Sequence, residues 1–244
     1  MDDLSLWLAL TVAVTAFVAA TLGGIAGMGT AIITLPVLIF AFGVREAVPI
    51  VSVAMLFNMT SRAVANREFV DYRVTLWFAA GAIPGAALGA VVFASMPADL
   101  LARGLGGFLL LLVAWRHLPG GNTTSMPLPA FVPVGVGQGF LSAIFGGAGP
   151  FGAHFYLSYG LMRNAFVGTV AVGTLLIAVT KTAVYGGYSL IDGELLLVAV
   201  ALGAIMAVGA YAGARIVRHV SDHAFTWLIE GVMISSGVVL AVRG

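Results

Sequence analysis

The chain contains no cysteine, which removes disulfides, thiolate metal sites and cysteine nucleophiles from consideration. Charge is nearly as scarce. Only 9% of the 244 residues are charged, against about 25% in ordinary soluble domains. Eleven Lys+Arg and ten Asp+Glu leave a formal net charge of +1. So few charges cannot solvate a particle of this size, and no basic face is present to hold nucleic acid. What fills the sequence instead is hydrocarbon: 61% of residues are hydrophobic and the mean hydropathy is +1.08. The 32 glycines are too many for a tightly wound soluble core, whereas glycine is common in membrane helices. A soluble enzyme and a disordered chain are excluded, and a multi-pass protein of the lipid bilayer is expected.

Met1-Asp2-Asp3 precedes an apolar run from Leu4 to Leu22. A secretory signal would open on positive residues. This run lacks them and is long enough to cross the hydrocarbon core, so it is expected to be a retained first span. Further apolar stretches are Thr30–Phe42, Ala47–Ala65, Val74–Ala94 and Leu100–Trp115. The turn-forming segment from His117 to Pro127 interrupts the series. A second series follows at Ala130–Phe145, Phe151–Leu161, Ala165–Tyr185, Leu195–Ala214 and Ala224–Val242. These are continuous apolar runs, not the alternating strands of a membrane barrel. Helices satisfy their own backbone groups in lipid, so the expected fold is an all-α polytopic bundle.

The second series repeats the first. Gly27-Met28-Gly29 aligns with Gly147-Ala148-Gly149, Arg45 with Arg163, Arg62 with Lys181, Asp71 with Asp192 and Gly81 with Gly203, in preserved order. The reading is a first transmembrane repeat over 1–118, a linker over 119–129 and a second repeat over 130–244. Counting every stretch gives ten crossings and inverted halves. If the two short stretches only dip into the bilayer, eight crossings and parallel halves result. Inverted halves collect Arg67, Arg73, Arg116, Arg163, Arg215 and Arg218 on one face, which the positive-inside rule makes cytoplasmic.

The two short stretches carry the functional reading. Thr30–Phe42 and Phe151–Leu161 each follow a glycine cluster, Gly23 to Gly29 and Gly146 to Pro150. Paired, glycine-broken segments at matching places in two halves point to a transporter's binding site. A helix N-terminus bares N–H groups and carries partial positive charge, which suits an anion. The expected substrate-binding residues are therefore Gly24, Gly27, Gly29, Thr30, Gly147, Gly149, Pro150 and His154. Pro150 suits the first turn of a helix, while Pro36 should kink or end the first short segment. His154 is read as a donor to the anion or a proton relay, set against a purely structural hydrogen bond. Thr34, Ser52 and Ser142 are further neutral donors. The expected gating or ion-pathway residues are Asn58, Arg62, Thr169, Lys181 and Glu230. Arg62 and Lys181 are read either as reaching for the headgroups or as attracting the anion at two opposite mouths. Glu230 is either a proton-coupling carboxylate or part of a structural hydrogen bond. The isolated glycines, Gly81, Gly85, Gly89, Gly203, Gly209 and Gly213, are expected to let helices cross closely.

The glycine clusters leading to Leu35-Pro36 and to Ala165-Phe166-Val167-Gly168-Thr169, with Lys181-Thr182-Ala183-Val184-Tyr185, resemble the TauE/SafE family, also called the 4-toluene sulfonate uptake permeases. The resemblance runs over nearly the full chain. It implies a multi-pass carrier of the bacterial inner membrane for sulfur-containing anions or carboxylates. In this chain Met28 and Ala148 interrupt glycine runs that are longer in the family.

No Gly-x-Gly-Asp, no His-Glu-x-x-His and no nucleotide-binding loop occur in the sequence. The expectation is a secondary transporter, not an enzyme, with no cofactor and no metal. Its expected partners are a small anion such as sulfite, thiosulfate or an organosulfonate, a possible coupling proton and the lipid bilayer. The alternatives are an anion channel of the same architecture and a carrier of small carboxylates.

Overall fold

A computed structural model describes residues 3–117, 126–161 and 163–216. These form nine α-helices: α1 (Asp3–Ala26), α2 (Thr30–Phe42), α3 (Val44–Ala65), α4 (Tyr72–Ser95), α5 (Ala98–His117), α6 (Phe131–Phe145), α7 (Gly149–Ser158), α8 (Arg163–Gly187) and α9 (Gly193–Ile216). Among the described residues there is no strand, and six of the helical segments are long and apolar enough to cross a membrane. The nine helices fall on the first nine apolar stretches. The tenth stretch, Ala224–Val242, lies outside the described residues.

Helix ends follow from local chemistry. Asp71 caps α4: its Oδ1 accepts from the backbone N–H groups of Arg73 (2.9 Å) and Val74 (3.1 Å). Asp192 does the same for α9, accepting from Leu195 N–H at 2.8 Å. Such caps contribute about 1 kcal/mol each, and the two aligned aspartates hold equivalent places. The breaks inside the bilayer have another cause. Gly27 ends α1 at φ +80° and Gly146 ends α6 at φ +75°, a left-handed conformation that side chains with a Cβ rarely adopt. Pro36 does not end its helix. It sits inside α2, which continues to Phe42, since only the hydrogen bond to one preceding carbonyl is lost.

Packing gives each helix a direction. Along the α4–α6 seam, Gly81 lies against Val132, Gly85 against Val136 and Gly89 against Phe140, so these helices run parallel. Gly135 and Gly139 of α6 return the contact onto Phe78 and Ala82. This backbone-to-backbone approach needs residues without a side chain. Helix α8 is also parallel to α4: Thr169 meets Asp71, Gly173 meets Phe78, and the Phe93 and Tyr185 rings lie 5.2 Å apart. The other set is α1, α3 and α9. Gly209 and Gly213 lie against Phe17 and Thr21, while Asn58 and Ser61 donate to the Met206 and Ala207 carbonyls.

Arg45, at the start of α3, donates to the Ala94 carbonyl at the end of α4 (3.0 Å). Helices α3 and α4 are therefore antiparallel. It follows that α1 opposes α6, α3 opposes α8 and α4 opposes α9. The fold is also crossed over: α1 packs on α9, and α6 packs on α4.

Candidate functional site

Both short helices begin in the interior. Gly29 precedes α2 at φ +97°, and Gly149 opens α7 with Pro150 behind it. No side chain caps either N-terminus, so their N–H groups are left for another partner. The two tips touch. Gly147 lies against Ala31, and a Cβ on Gly149 would sit 3.5 Å from Met28 Cβ and 3.9 Å from Gly29 N.

A cavity of about 40 Å³ opens between the tips, lined by Gly27, Gly29, Thr30, Gly147 and Gly149 and closed by side chains from α3, α6 and α8. Arg62 and Lys181 both line it, each only 2% exposed. No acidic residue is among its described lining residues.

The two cations are in different states. Lys181 Nζ donates to the carbonyl oxygens of Ser142 (3.1 Å) and Gly146 (3.0 Å), and the Tyr185 hydroxyl donates to the Ala143 carbonyl. Helix α8 thus satisfies the exposed carbonyls at the broken end of α6, where a cation also complements the helix dipole. Arg62 has no such partner. Its Nη1 reaches only the Met59 sulfur at 3.8 Å, and its Nε and Nη2 have no hydrogen-bond partner. The Thr30 hydroxyl, 1% exposed at the tip of α2, is also without one. A buried guanidinium without a counter-charge is costly, and native proteins rarely leave such groups unpaired. The arrangement fits a small anion.

Of the residues expected at the substrate, Gly27, Gly29, Thr30, Gly147 and Gly149 line the cavity, and so do Arg62 and Lys181. Others are placed elsewhere. Gly24 packs on the Ala210 backbone. Pro150 is half-buried in the first turn of α7. His154 is exposed, its ring edge-on to Phe155; one turn past Pro150, it shares that residue's face of α7, which does not line the cavity. Asn58 is buried and donates across to α9, and Thr169 accepts from the Asp71 N–H. Both hold helices together away from the lining. Thr34 and Ser52 bond carbonyls in their own helices, a common choice for these residues in membrane spans. Glu230 lies outside the described residues.

Arg62 and Lys181 do not reach headgroups or stand at two mouths. Their side chains turn inward to one shared cavity, which they approach from opposite ends of the bundle because α3 and α8 are antiparallel. Sequence reasoning missed Gln138, which also lines the cavity and is 2% exposed, and the sulfur-bearing lining residues Met55 and Met59. A lone amide in an apolar helix was the available signal for Gln138.

Buried cations and two uncapped helix tips around one interior cavity, within a helical membrane bundle, define a multi-pass membrane protein with a polar interior. Residues 12–240 match the family described as "Sulfite exporter TauE/SafE", and the chain belongs to that family of membrane transporters. No curated protein and no solved structure matches it.

Proposed function

We propose that the protein is a secondary carrier that moves a small sulfur oxyanion of the sulfite type across the bilayer by alternating access. The observation that carries this reading is Arg62, a buried guanidinium with two unpartnered nitrogens beside two uncapped helix tips. The bound anion would take the Arg62 nitrogens, the Thr30 hydroxyl and the N–H groups at the start of α2 and α7. A cavity of about 40 Å³ suits an anion of a few heavy atoms and is small for an aryl sulfonate.

The transport mechanism is supported by the difference between the halves. If 1–118 and 130–244 are inverted repeats, Arg62 and Lys181 are counterparts, and the left-handed glycines Gly27 and Gly146 end the corresponding helices α1 and α6. Lys181 grips the end of α6, yet Arg62 does not grip the end of α1. Equivalent halves in unequal states are what one end-state of a rocking carrier requires. The exchanged state would have Arg62 on the α1 carbonyls and Lys181 released to the anion. Export needs no further fuel, since one charge crossing 100 mV of membrane potential is worth about 2.3 kcal/mol.

The test is uptake of radiolabelled sulfite, thiosulfate, taurine and acetate into proteoliposomes, with and without a pH gradient. Saturable sulfite flux above protein-free liposomes is expected. Equal flux in protein-free liposomes refutes the substrate class, and non-saturating flux far above carrier rates favours a channel.

A further inference from the structure

The cavity lining carries sulfur as well as charge. Met55 and Met59 stand one helical turn apart on α3, and Met28 lies in the break between α1 and α2; all three line the cavity. Met59 is 2% exposed and Met55 7%. Arg62 follows on the same face of α3, with Nη1 against the Met59 thioether. A thioether is soft and polarisable and offers no hydrogen-bond donor. The donors belong to other groups: the helix tips, Thr30, Arg62, Lys181 and Gln138.

An anion entering so small a space leaves most of its water behind, and each desolvated oxygen then needs a donor from the protein. Charge alone does not separate sulfite from sulfate, because Arg62 and the helix tips attract both. Shape and softness do. Sulfite is a pyramid with three oxygens and a bare sulfur apex, and thiosulfate ends in a sulfur atom. Sulfate presents oxygen in every direction.

We propose that Met28, Met55 and Met59 form a selectivity wall that receives the sulfur end of a sulfite-like or thiosulfate anion and rejects sulfate, whose remaining oxygen would face thioethers without a donor. This rests on the anion-carrier reading above. It makes the three methionines specificity-determining residues, and it lets a cell expel reduced sulfur oxyanions without losing sulfate.

The test is competition of unlabelled sulfite, thiosulfate and sulfate against radiolabelled sulfite bound to the purified full-length protein. Wild type is expected to prefer sulfite over sulfate by about ten- to a hundredfold, the effect of one unsatisfied hydrogen bond at a charged oxygen. Met55→Gln and Met59→Gln place an amide donor on the wall and should each improve sulfate competition by about tenfold. Met55→Leu and Met59→Leu remain donor-free and should keep the preference for sulfite, whatever their absolute affinity. Sulfate competing as well as sulfite in wild type overturns the proposal, as does an unchanged preference in both glutamine variants. Absence of any sulfite or thiosulfate binding to wild type refutes the carrier reading itself, so the two failures are distinct.

Discussion

Replacing Arg62 by methionine should have opposite effects on folding and on binding. Arg62 is 2% exposed, has no acidic neighbour among the described lining residues, and leaves Nε and Nη2 unpartnered. Exchange of a buried ion pair for apolar residues of similar volume is often neutral or stabilising by about 1–4 kcal/mol, and an unpaired charge has no Coulombic gain to lose. Arg62→Met should therefore raise the unfolding temperature of the ligand-free protein, whereas most core substitutions lower it. The anion loses two charge-assisted hydrogen bonds at about 1.5–3 kcal/mol each, together about 3–6 kcal/mol, or roughly two to four decades of affinity. The assay is thermal unfolding of purified protein over a sulfite titration. In wild type, sulfite at a hundredfold excess over Kd should add about 2.7 kcal/mol of stability. In Arg62→Met that increment should vanish. The reasoning is refuted if the variant unfolds earlier than ligand-free wild type, or if sulfite still stabilises it to the wild-type extent.

Lys181→Met should behave in the contrary way: freeing the Ser142 and Gly146 carbonyls is expected to destabilise the protein by about 1–3 kcal/mol, read as a lower unfolding temperature. At the α4–α6 seam, a Cβ on Gly89 would stand 2.5 Å from the Phe140 carbonyl and 3.0 Å from Ala143 Cβ. Gly89→Ala should therefore cost about 1–3 kcal/mol by overpacking, again checked by thermal unfolding. Single cysteines at the exposed positions Glu68 and Asp192 should react with an impermeant maleimide from opposite sides of the membrane. Helix α8 ends on the face away from its start beside the α3–α4 turn, and no native cysteine competes. Labelling of both from one side would restore the eight-crossing, parallel arrangement.

Much of this protein can be read from its residues in order. Continuous apolar runs can only be membrane helices, because lipid supplies no hydrogen bonds and each run must satisfy its own backbone; α1 to α9 accordingly begin and end close to those runs. The breaks were legible as well, since clusters such as Gly27-Met28-Gly29 mark backbone that other residues would strain, and Gly27 and Gly146 do adopt left-handed conformations. Even the capping role of Asp71 and Asp192 is local chemistry.

What escaped was the rotation of each helix about its axis. In water, a polar stripe tells which face looks outward, but in lipid both the inward and the outward faces are apolar. Nothing in the α3 sequence says that Met55, Met59 and Arg62 face inward while Phe57 and Val64 face out. Nothing near His154 says that its turn carries it to the surface. Nor does spacing alone reveal that Lys181 reaches carbonyls 39 and 35 residues away while Arg62, aligned with it in the sequence, has no carbonyl partner. Those facts depend on how α3, α6 and α8 pack around two touching helix tips, and only the folded bundle decides that.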